Sequence, residues 1–288
     1  MLGSDLKKKL KKKYKVVTLS NNYNNRKSKY LDYSSKLSIN NFIKKNGIPN
    51  YFLHLGWGKT QEPHSSYHIK ENYINSKNLV DVFFNRGLKN FIFVGTINEY
   101  GSQNGAVTEK YKSKKKLRNY EKGKTKFANY GKKLSKKISK NFIHIRLSNL
   151  YGPLQKKNSL IHSIHKAYNE GKELNLSPLN IYRDYLFSEE AAAGIEKIIK
   201  KVNETLTINL GSGKNIHMRY FVKQYWKLIG GENNNLNFGS LSRSRSDSLI
   251  SKFYLSLKLL KKNTGWYPIN NLKKNIKKNI KSFKLLNV

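Results

Sequence analysis

Two kinds of apolar segment alternate along the first half of this chain, and this alternation constrains its fold more than any other feature. Short runs rich in β-branched and aromatic residues cover 14–20, 51–55, 91–94 and 142–147. Longer segments with apolar residues at helical spacing lie between them, at 37–43, 73–84 and 120–139. Such an alternation predicts an α/β fold, in which helices cover both faces of a parallel sheet.

The second half of the chain has a different pattern. Helices dominate from Tyr151 onward, and only short strands are predicted, at 174–176, 185–187 and 207–210. No linker rich in proline or serine separates the halves. We therefore predict a larger α/β domain over 1–150 and a smaller, mostly helical domain over 151–288 that is partly interleaved with the first.

Composition excludes several classes of function. The 288 residues include no cysteine, which rules out disulfides, thiolate-bound zinc, iron–sulfur centres and a cysteine nucleophile. No stretch approaches the ~20 apolar residues of a membrane span, and the start lacks the apolar run of a signal peptide, so we expect a cytoplasmic protein without membrane contact. His64 with His68, and His162 with His165, have metal-compatible spacing, but no third ligand accompanies either pair, so no metal site is predicted.

A net charge of +40 raises the question of nucleic-acid binding. The charge is nearly all lysine, scattered over every segment among abundant asparagine and isoleucine, whereas arginine, the usual reader of bases, is scarce. A compositional bias explains this pattern better than a binding surface. We expect no specific nucleic-acid partner.

Candidate chemistry follows two of the apolar segments. The run 91–94 delivers Thr96 to the carboxyl end of a predicted strand, where ligands bind in open α/β sheets. Tyr120 and Lys124 lie four residues apart, on one face of the helix predicted over 120–139. A lysine there can lower the pKa of the phenol, which makes it an acid/base near neutrality.

The spacing Tyr-x-x-x-Lys alone decides nothing in so lysine-rich a chain. The same spacing begins at five other tyrosines, Tyr23, Tyr73, Tyr111, Tyr168 and Tyr254. Only Tyr120 opens a long helix between the segment carrying Thr96 and the strand that runs into Arg146, and Tyr111 is its nearest rival. The alternative is that Tyr120 is an ordinary surface tyrosine of an amphipathic helix.

Further motifs follow in a collinear series. They are Glu99-Tyr100-Gly101, Arg146 to Pro153, Arg183-Asp184 in a short strand, the turn Asn209 to Gly213, and Gly265-Trp266-Tyr267-Pro268. Together with Thr96, Tyr120 and Lys124, this series resembles the nucleotide-sugar epimerase/dehydratase branch of the extended short-chain dehydrogenases/reductases. The resemblance implies a Rossmann-type doubly wound sheet that binds NAD(P), with the substrate region over 151–288.

The resemblance also implies roles for individual residues. Tyr120 is the acid/base, Lys124 adjusts its pKa and binds the cofactor ribose, and Thr96 hydrogen-bonds the reacting sugar oxygen. The substrate, a nucleotide sugar, is expected to contact six further residues, Glu99, Tyr100, Asn149, Arg183, Arg243 and Arg245. Homodimers are expected through the helices over 73–84 and 120–139.

One departure from the family pattern bears on the reaction. The 4,6-dehydratases of this branch carry an Asp-Glu pair directly after the threonine, where this chain has Ile97 and Asn98. This argues against dehydration and leaves 4-epimerisation or 4-keto reduction.

The start of the chain resembles only the end of the family's glycine fingerprint, with Gly3 as its third glycine. A first strand and two earlier glycines have no counterpart, so we expect either that the natural chain begins upstream or that this is a decayed copy. Other expected cofactor contacts are Ser20, Arg26, Leu55 and Gly56. Because Ser20, not an acidic residue, ends its strand, NADP is favoured over NAD.

Two functions from different classes remain open. The first is an NAD(P)-dependent nucleotide-sugar reductase or epimerase. The second is a non-catalytic Rossmann-like remnant that binds a nucleotide or a polyanion without turnover.

Overall fold

A computed structural model describes residues 1–113, 116–155, 157, 159–242 and 252–285. In its first half the elements are α1 (Leu2–Leu10), β1 (Leu19–Ser20), β2 (Lys29–Tyr30), α2 (Lys36–Asn46), β3 (Tyr51–His54), α3 (Tyr73–Asn85), β4 (Asn90–Val94), β5 (Asn104–Val107), α4 (Asn119–Lys137) and β6 (Asn141–Leu147). A π-helical turn at His68–Asn72 leads into α3, and a 3-10 helix, Ile97–Tyr100, follows β4.

The second half continues with β7 (Asn149–Tyr151), α5 (Leu160–Asn169), β8 (Leu174–Leu176), β9 (Tyr182–Arg183), β10 (Tyr185–Phe187), α6 (Ser188–Lys201), β11 (Leu206–Leu210), β12 (Ile216–His217), α7 (Met218–Ile229), β13 (Leu236–Phe238), β14 (Lys252–Leu255), α8 (Lys258–Thr264) and α9 (Leu272–Leu285). A short 3-10 helix, Asn233–Asn235, lies between α7 and β13. In the part of the chain that the structure describes, no helix is long and apolar enough to cross a membrane.

The central sheet has four parallel strands in the order β3–β4–β6–β11. Alternate residues of β4 face opposite sides: Ile92 and Val94 pack with α1 and α6, whereas Phe91 and Phe93 pack with α2, α3 and α4. Burial on both faces explains why the strands are nearly continuous apolar runs. The predicted parallel sheet, covered by helices on both faces, is therefore present.

Strand β11 comes from the second half of the chain and joins the central sheet beside β6. From the sequence, residues 207–210 were predicted to belong to the smaller domain, because the local pattern of a strand does not identify its pairing partner. Helix α6 likewise packs against α1. A separate core of the second half gathers residues of α5, α7 and α9. The division at residue 150 stays a prediction.

The buried strand predicted over 14–20 is shorter than expected. Only Leu19–Ser20 forms a strand, and it pairs with Lys29–Tyr30 in a separate two-stranded sheet. Val17 is 48% exposed. Among the described residues no strand pairs with β3 on the side away from β4. The segment over 14–20 therefore has no neighbours on both sides to hydrogen-bond with, and without them an extended backbone is only weakly stabilised.

The carboxylate of Asp184 ties three segments of the second half together. One oxygen accepts a hydrogen bond from the backbone N–H of Ser212 at 2.6 Å, and the other accepts one from Leu255 at 2.9 Å. The side chain is 1% exposed. Gly211 packs against this carboxylate so closely that a Cβ at that position would lie 2.7 Å from an Asp184 oxygen.

We expect Asp184→Asn to lower the free energy of unfolding by about 2 kcal/mol, because an amide accepts through only one atom and leaves one buried N–H unpaired. Urea unfolding of the purified chain measures this. The matched control is Asp32→Asn, because Asp32 also accepts two hydrogen bonds, both from Ser34, but is only partly buried. We expect the control to change stability by less than about 0.5 kcal/mol. Equal effects of the two substitutions would contradict the role of Asp184.

Candidate active site

Thr96 lies at the carboxyl end of β4 and begins the 3-10 helix Ile97–Tyr100. Its hydroxyl oxygen accepts a hydrogen bond from the backbone N–H of Asn98 at 3.3 Å. Its own backbone N–H donates to Glu99 Oε1 at 2.9 Å, so the two residues cap the helix reciprocally. This double cap holds the threonine in one place at the edge of the sheet.

Tyr120 is brought to Thr96 by the loop that precedes α3. The backbone N–H of Tyr120 donates to the carbonyl of Pro63 at 2.9 Å, and the Asn119 side chain donates to the carbonyl of His64 at 2.7 Å. The first turn of α4 is thus anchored, and the Tyr120 phenol lies close enough to the Thr96 side chain for that side chain to lower its pKa. Two groups 24 positions apart in sequence therefore lie near one another.

Lys124 lies one helical turn beyond Tyr120 and is 5% exposed. Its ammonium donates to the carbonyl of Val94 at 2.8 Å and lies 5.5 Å from the centre of the Tyr120 ring. Burial lowers the pKa of Lys124 to about 8, although the Glu99 carboxylate raises it. The structure therefore brings Thr96, Tyr120 and Lys124 together at the carboxyl edge of the sheet.

The pKa of the Tyr120 phenol does not follow the expectation from sequence. Burial, and after it the nearby Glu99 carboxylate, raise this pKa to about 12, whereas the Thr96 side chain acts in the opposite direction. The Lys124 ammonium is directed at the Val94 carbonyl. Desolvation is therefore the main influence on this pKa, and the phenol carries its proton at neutral pH.

Glu99 and Tyr100, which we expected at the substrate, lie behind Thr96 instead. Glu99 is 3% exposed and Tyr100 is fully buried. The Tyr100 hydroxyl donates to Asn209 Oδ1 at 2.7 Å, and the Arg146 guanidinium lies 4.3 Å from the centre of the Tyr100 ring. The Glu99 carboxylate and the Tyr100 hydroxyl are thus buried and bound to partners within the protein. The expectation that these two residues contact the substrate is therefore corrected: their positions favour support of Thr96.

The expected cofactor contacts fall on two parts of the structure. Gly3, at the start of α1, lies beside Leu55, since a Cβ on Gly3 would be 3.7 Å from Leu55 Cδ1. Gly56 follows Leu55, two residues after the end of β3. Ser20 ends β1, where its hydroxyl accepts from the backbone N–H of Asn22 at 3.0 Å, and Arg26 is exposed in the β1–β2 loop.

The expected substrate contacts of the second half lie near Asp184. The backbone N–H of Asn149 donates to the Asp184 carbonyl at 3.2 Å, and Asn149 Nδ2 lies 3.4 Å from the same oxygen. Arg183 is the last residue of β9 and directly precedes Asp184 in the chain. Arg243 and Arg245 lie outside the described residues.

The sequence did not predict the group of packed side chains that holds Tyr120 in place. Trp57 Nε1 donates to His68 Nδ1 at 3.1 Å, and the His68 ring packs edge-on against the Tyr120 ring at 5.3 Å. Asn72 Oδ1 accepts from the backbone N–H of Gly58 at 2.9 Å. Gly123 permits this packing, because a Cβ there would lie 2.5 Å from the His68 carbonyl. His68 was noted only for its spacing from His64, and no local pattern signals its contact with Tyr120.

A comparison with known protein families identifies the family to which the chain belongs. The profile of the NAD dependent epimerase/dehydratase family matches residues 1–211. The chain belongs to this family. The matched region includes Thr96, Tyr120 and Lys124, and the family predicted from the collinear motifs is confirmed.

Two curated proteins show detectable sequence similarity to this chain. GDP-L-fucose synthase of Sinorhizobium fredii is 27% identical over 51% of this chain and 48% of its own. ADP-L-glycero-D-manno-heptose-6-epimerase of Brachyspira hyodysenteriae is 23% identical over 64% of this chain and 62% of its own. The chain thus matches about half to three fifths of the length of these relatives.

Solved structures match nearly the whole chain. UDP-glucose 4-epimerase of Thermotoga maritima, solved with UDP-glucose, superposes with a TM-score of 0.86 at 19% identity, covering 100% of this chain and 97% of its own. dTDP-glucose 4,6-dehydratase of Bacillus anthracis, in complex with NAD, gives 0.82 at 16% identity, covering 99% and 94%. At these identities the likeness shows the fold, and it confirms the predicted Rossmann-type α/β architecture.

Proposed function

We propose that this chain is an NAD(P)-dependent enzyme acting at C4 of a nucleotide-linked sugar, by 4-epimerisation or 4-keto reduction. The observation that carries the proposal is the juxtaposition of Thr96, Tyr120 and Lys124 at the carboxyl edge of the parallel sheet. Two enzymes acting on nucleotide-linked sugars among the curated relatives support the substrate class. We propose a homodimer through α3 and α4.

The residues present fit a nicotinamide cofactor. Lys124 is a buried ammonium whose acceptor among the described residues is the Val94 carbonyl, so it retains donors for a ribose. Gly3, with no side chain, leaves room at the start of α1. We assign cofactor binding to these two residues and to Ser20, Arg26, Leu55, Gly56 and Tyr120. The exposed Arg26 and the absence of a carboxylate at Ser20 favour NADP over NAD.

A nicotinamide supplies or accepts the hydride when bound. The chain's own task is to hold and move the proton on the sugar oxygen. Tyr120, protonated at neutral pH, donates that proton to the oxygen of a 4-keto group, and Thr96 orients the same oxygen by a hydrogen bond. Lys124 adds positive charge beside the phenol, which favours the tyrosinate left after transfer.

Dehydration is disfavoured at the positions that follow Thr96. Elimination of water requires a second acid/base pair, but Ile97 and Asn98 have no titratable group. The Glu99 carboxylate is buried and is held by Thr96 and by two basic side chains of β6. We therefore restrict the proposal to reactions that need one proton relay.

Calorimetric titration of NADPH and NADH into the purified chain tests the proposal first, at a salt concentration high enough to screen its net charge of +40. We expect one saturable site that prefers NADPH. The chain loaded with NADPH is then mixed with the 4-keto derivatives of UDP-, GDP-, ADP- and dTDP-linked hexoses, and the chain loaded with NADP⁺ is mixed with the hexoses themselves. Net oxidation of NADPH indicates reduction, whereas a new sugar epimer without net oxidation indicates epimerisation.

The same titration examines the alternative of a non-catalytic remnant. Binding of nucleotide sugar without any product, at cofactor saturation, would support the remnant and overturn the proposed reaction. Failure of both cofactors to bind would contradict the cofactor assignment. Each result is read from the same preparation.

A further inference from the structure

We propose that a chain of hydrogen bonds through Lys132, Thr207, His144 and Glu99 positions Thr96 for the reaction. His144 and Thr207 are then positioning residues, and neither was singled out from the sequence. The inference rests on the proposed role of Thr96 at the substrate oxygen. Its structural part, the control of the Thr96 backbone, is testable without turnover.

Glu99 is the inner end of this chain of hydrogen bonds, which we call the relay. Its Oε1 atom accepts from the backbone N–H of Thr96 at 2.9 Å and lies 3.2 Å from His144 Nε2. Its Oε2 atom accepts from Arg146 Nε at 3.4 Å. The side chains of Glu99 and His144 have no exposed surface. A charged carboxylate in such a site needs all of its donors, so the loss of one displaces the others.

Close packing holds His144 against Glu99. The imidazole stacks on Phe93 with ring centres 5.6 Å apart. Gly95 packs from above, since a Cβ there would lie 2.2 Å from Glu99 Oε1 and 2.3 Å from His144 Nε2. With Glu99 as acceptor, Nε2 carries the hydrogen, and Nδ1 is then the acceptor of the ring.

The outer end of the relay supplies the matching donor. Strand register places Thr207 of β11 opposite His144 of β6, with Thr207 Oγ1 at 3.4 Å from Nδ1. Lys132 Nζ of α4 donates to the same Thr207 oxygen at 3.2 Å, so the hydroxyl hydrogen is free to point at Nδ1. Every bond then runs in one direction, from Lys132 toward Glu99.

This direction gives the relay its effect on Thr96. The Thr207 hydroxyl, by donating to Nδ1, adds to the preference that Glu99 gives for the His144 tautomer with hydrogen on Nε2, and that hydrogen holds the Glu99 oxygen that also receives the Thr96 N–H. Without the hydroxyl this preference is weaker, the second tautomer becomes populated, and Glu99 loses part of a fixed donor. Thr96 then loses part of its cap, and its hydroxyl is less well placed beside Tyr120.

The test compares Thr207→Val, which keeps the shape but removes the hydroxyl, with Thr207→Ser, which restores it. In the full chain without ligand, nitrogen NMR reports the His144 tautomer and amide hydrogen exchange reports the Thr96 cap. We expect Thr207→Val to populate a second tautomer and to speed exchange at Thr96 about tenfold, the loss of one hydrogen bond. Thr207→Ser should return both signals to the wild-type state.

A second pair of variants controls for the charge of the surface. Lys132, Lys133 and Lys136 line one cavity of about 440 Å³ with Thr205 and Thr207. Lys132→Met removes a donor of the relay. Lys133→Met removes a lysine that lines the same cavity but does not belong to the relay. Only the former should change exchange at Thr96. Equal changes in both variants, or an unchanged His144 tautomer in Thr207→Val, would overturn the relay.

Kinetics separate the relay from the proposed function. With a turning-over substrate, we expect Thr207→Val to lower kcat about tenfold with little change in KM, and Thr207→Ser to restore it. A normal kcat in Thr207→Val, with exchange at Thr96 accelerated, would overturn the positioning role. If no substrate is turned over by the wild-type chain, the proposed function fails, while the tautomer and exchange data still decide the relay.

Discussion

Replacing Tyr120 with phenylalanine is expected to lower kcat by about 10²- to 10⁴-fold, the usual contribution of a positioned proton donor. The hydroxyl, which lies near the Thr96 side chain, is the only group removed. The ring, which packs edge-on against His68, remains, so the first turn of α4 keeps its anchor. Cofactor affinity should therefore stay within about threefold of wild type.

Single-turnover kinetics and calorimetry of the same variant measure the two quantities separately. Tyr111→Phe is the matched control, because Tyr111 begins the same Tyr-x-x-x-Lys spacing and is the nearest rival in the sequence. We expect its kcat to remain near that of wild type. Full activity in Tyr120→Phe, or a large loss in Tyr111→Phe alone, would transfer the acid/base assignment to Tyr111 or remove it altogether.

Replacing Lys124 with methionine is expected to abolish cofactor binding and yet stabilise the fold. Burial holds the pKa of Lys124 at about 8, against 10.5 for an ordinary lysine, which corresponds to about 3 kcal/mol of destabilisation at pH 7. The lost hydrogen bond to the Val94 carbonyl offsets about 1 kcal/mol of this. A net gain of about 2 kcal/mol follows, typical of sites where function opposes stability.

The pH dependence of stability gives an independent check of this account. Between about pH 8 and 10.5 the unfolded chain binds a proton at Lys124 that the folded chain has lost, so wild-type stability gains a contribution as pH rises through this window. The methionine variant lacks this contribution. The difference in urea midpoint between the two proteins should therefore be largest at pH 7 and shrink above pH 8.

Lys122→Met provides the control, because Lys122 lies on the same helix but is exposed. It should change stability by less than about 0.5 kcal/mol and leave cofactor binding intact. A Lys124→Met protein that is less stable than wild type at pH 7 would show that the buried ammonium is well compensated. Retained NADPH binding would remove Lys124 from the cofactor site.

Several features of the fold could be predicted from local pattern. The strands Tyr51–His54, Asn90–Val94 and Asn141–Leu147 form where continuous apolar runs predicted them, because both faces of a parallel strand are buried. Helices Tyr73–Asn85 and Asn119–Lys137 follow the apolar spacing within two residues at each end. The segment over 14–20 failed as a strand because strand formation depends on neighbours, which its own residues do not encode.

The candidate site divides in the same way. The order and spacing of Thr96, Tyr120 and Lys124 could be read from the sequence, together with their resemblance to a family. The choice of Tyr120 among six tyrosines with the same spacing depended on context, and the structure adds its proximity to the Thr96 side chain. The sign of the pKa shift at Tyr120 was predicted wrongly, because burial and Glu99 act on it through the folded chain.

The sequence by itself therefore determined the α/β class, the family and the residue types that the chemistry requires, since each depends on periodicity or on the order of motifs along the chain. Only the tertiary structure decided which groups are buried and which meet across long separations. Glu99, His144 and Thr207 come from three separate elements, and their hydrogen bonds exist only because strand register sets them side by side. Desolvation and register are properties of the packed sheet, and no local pattern carries them.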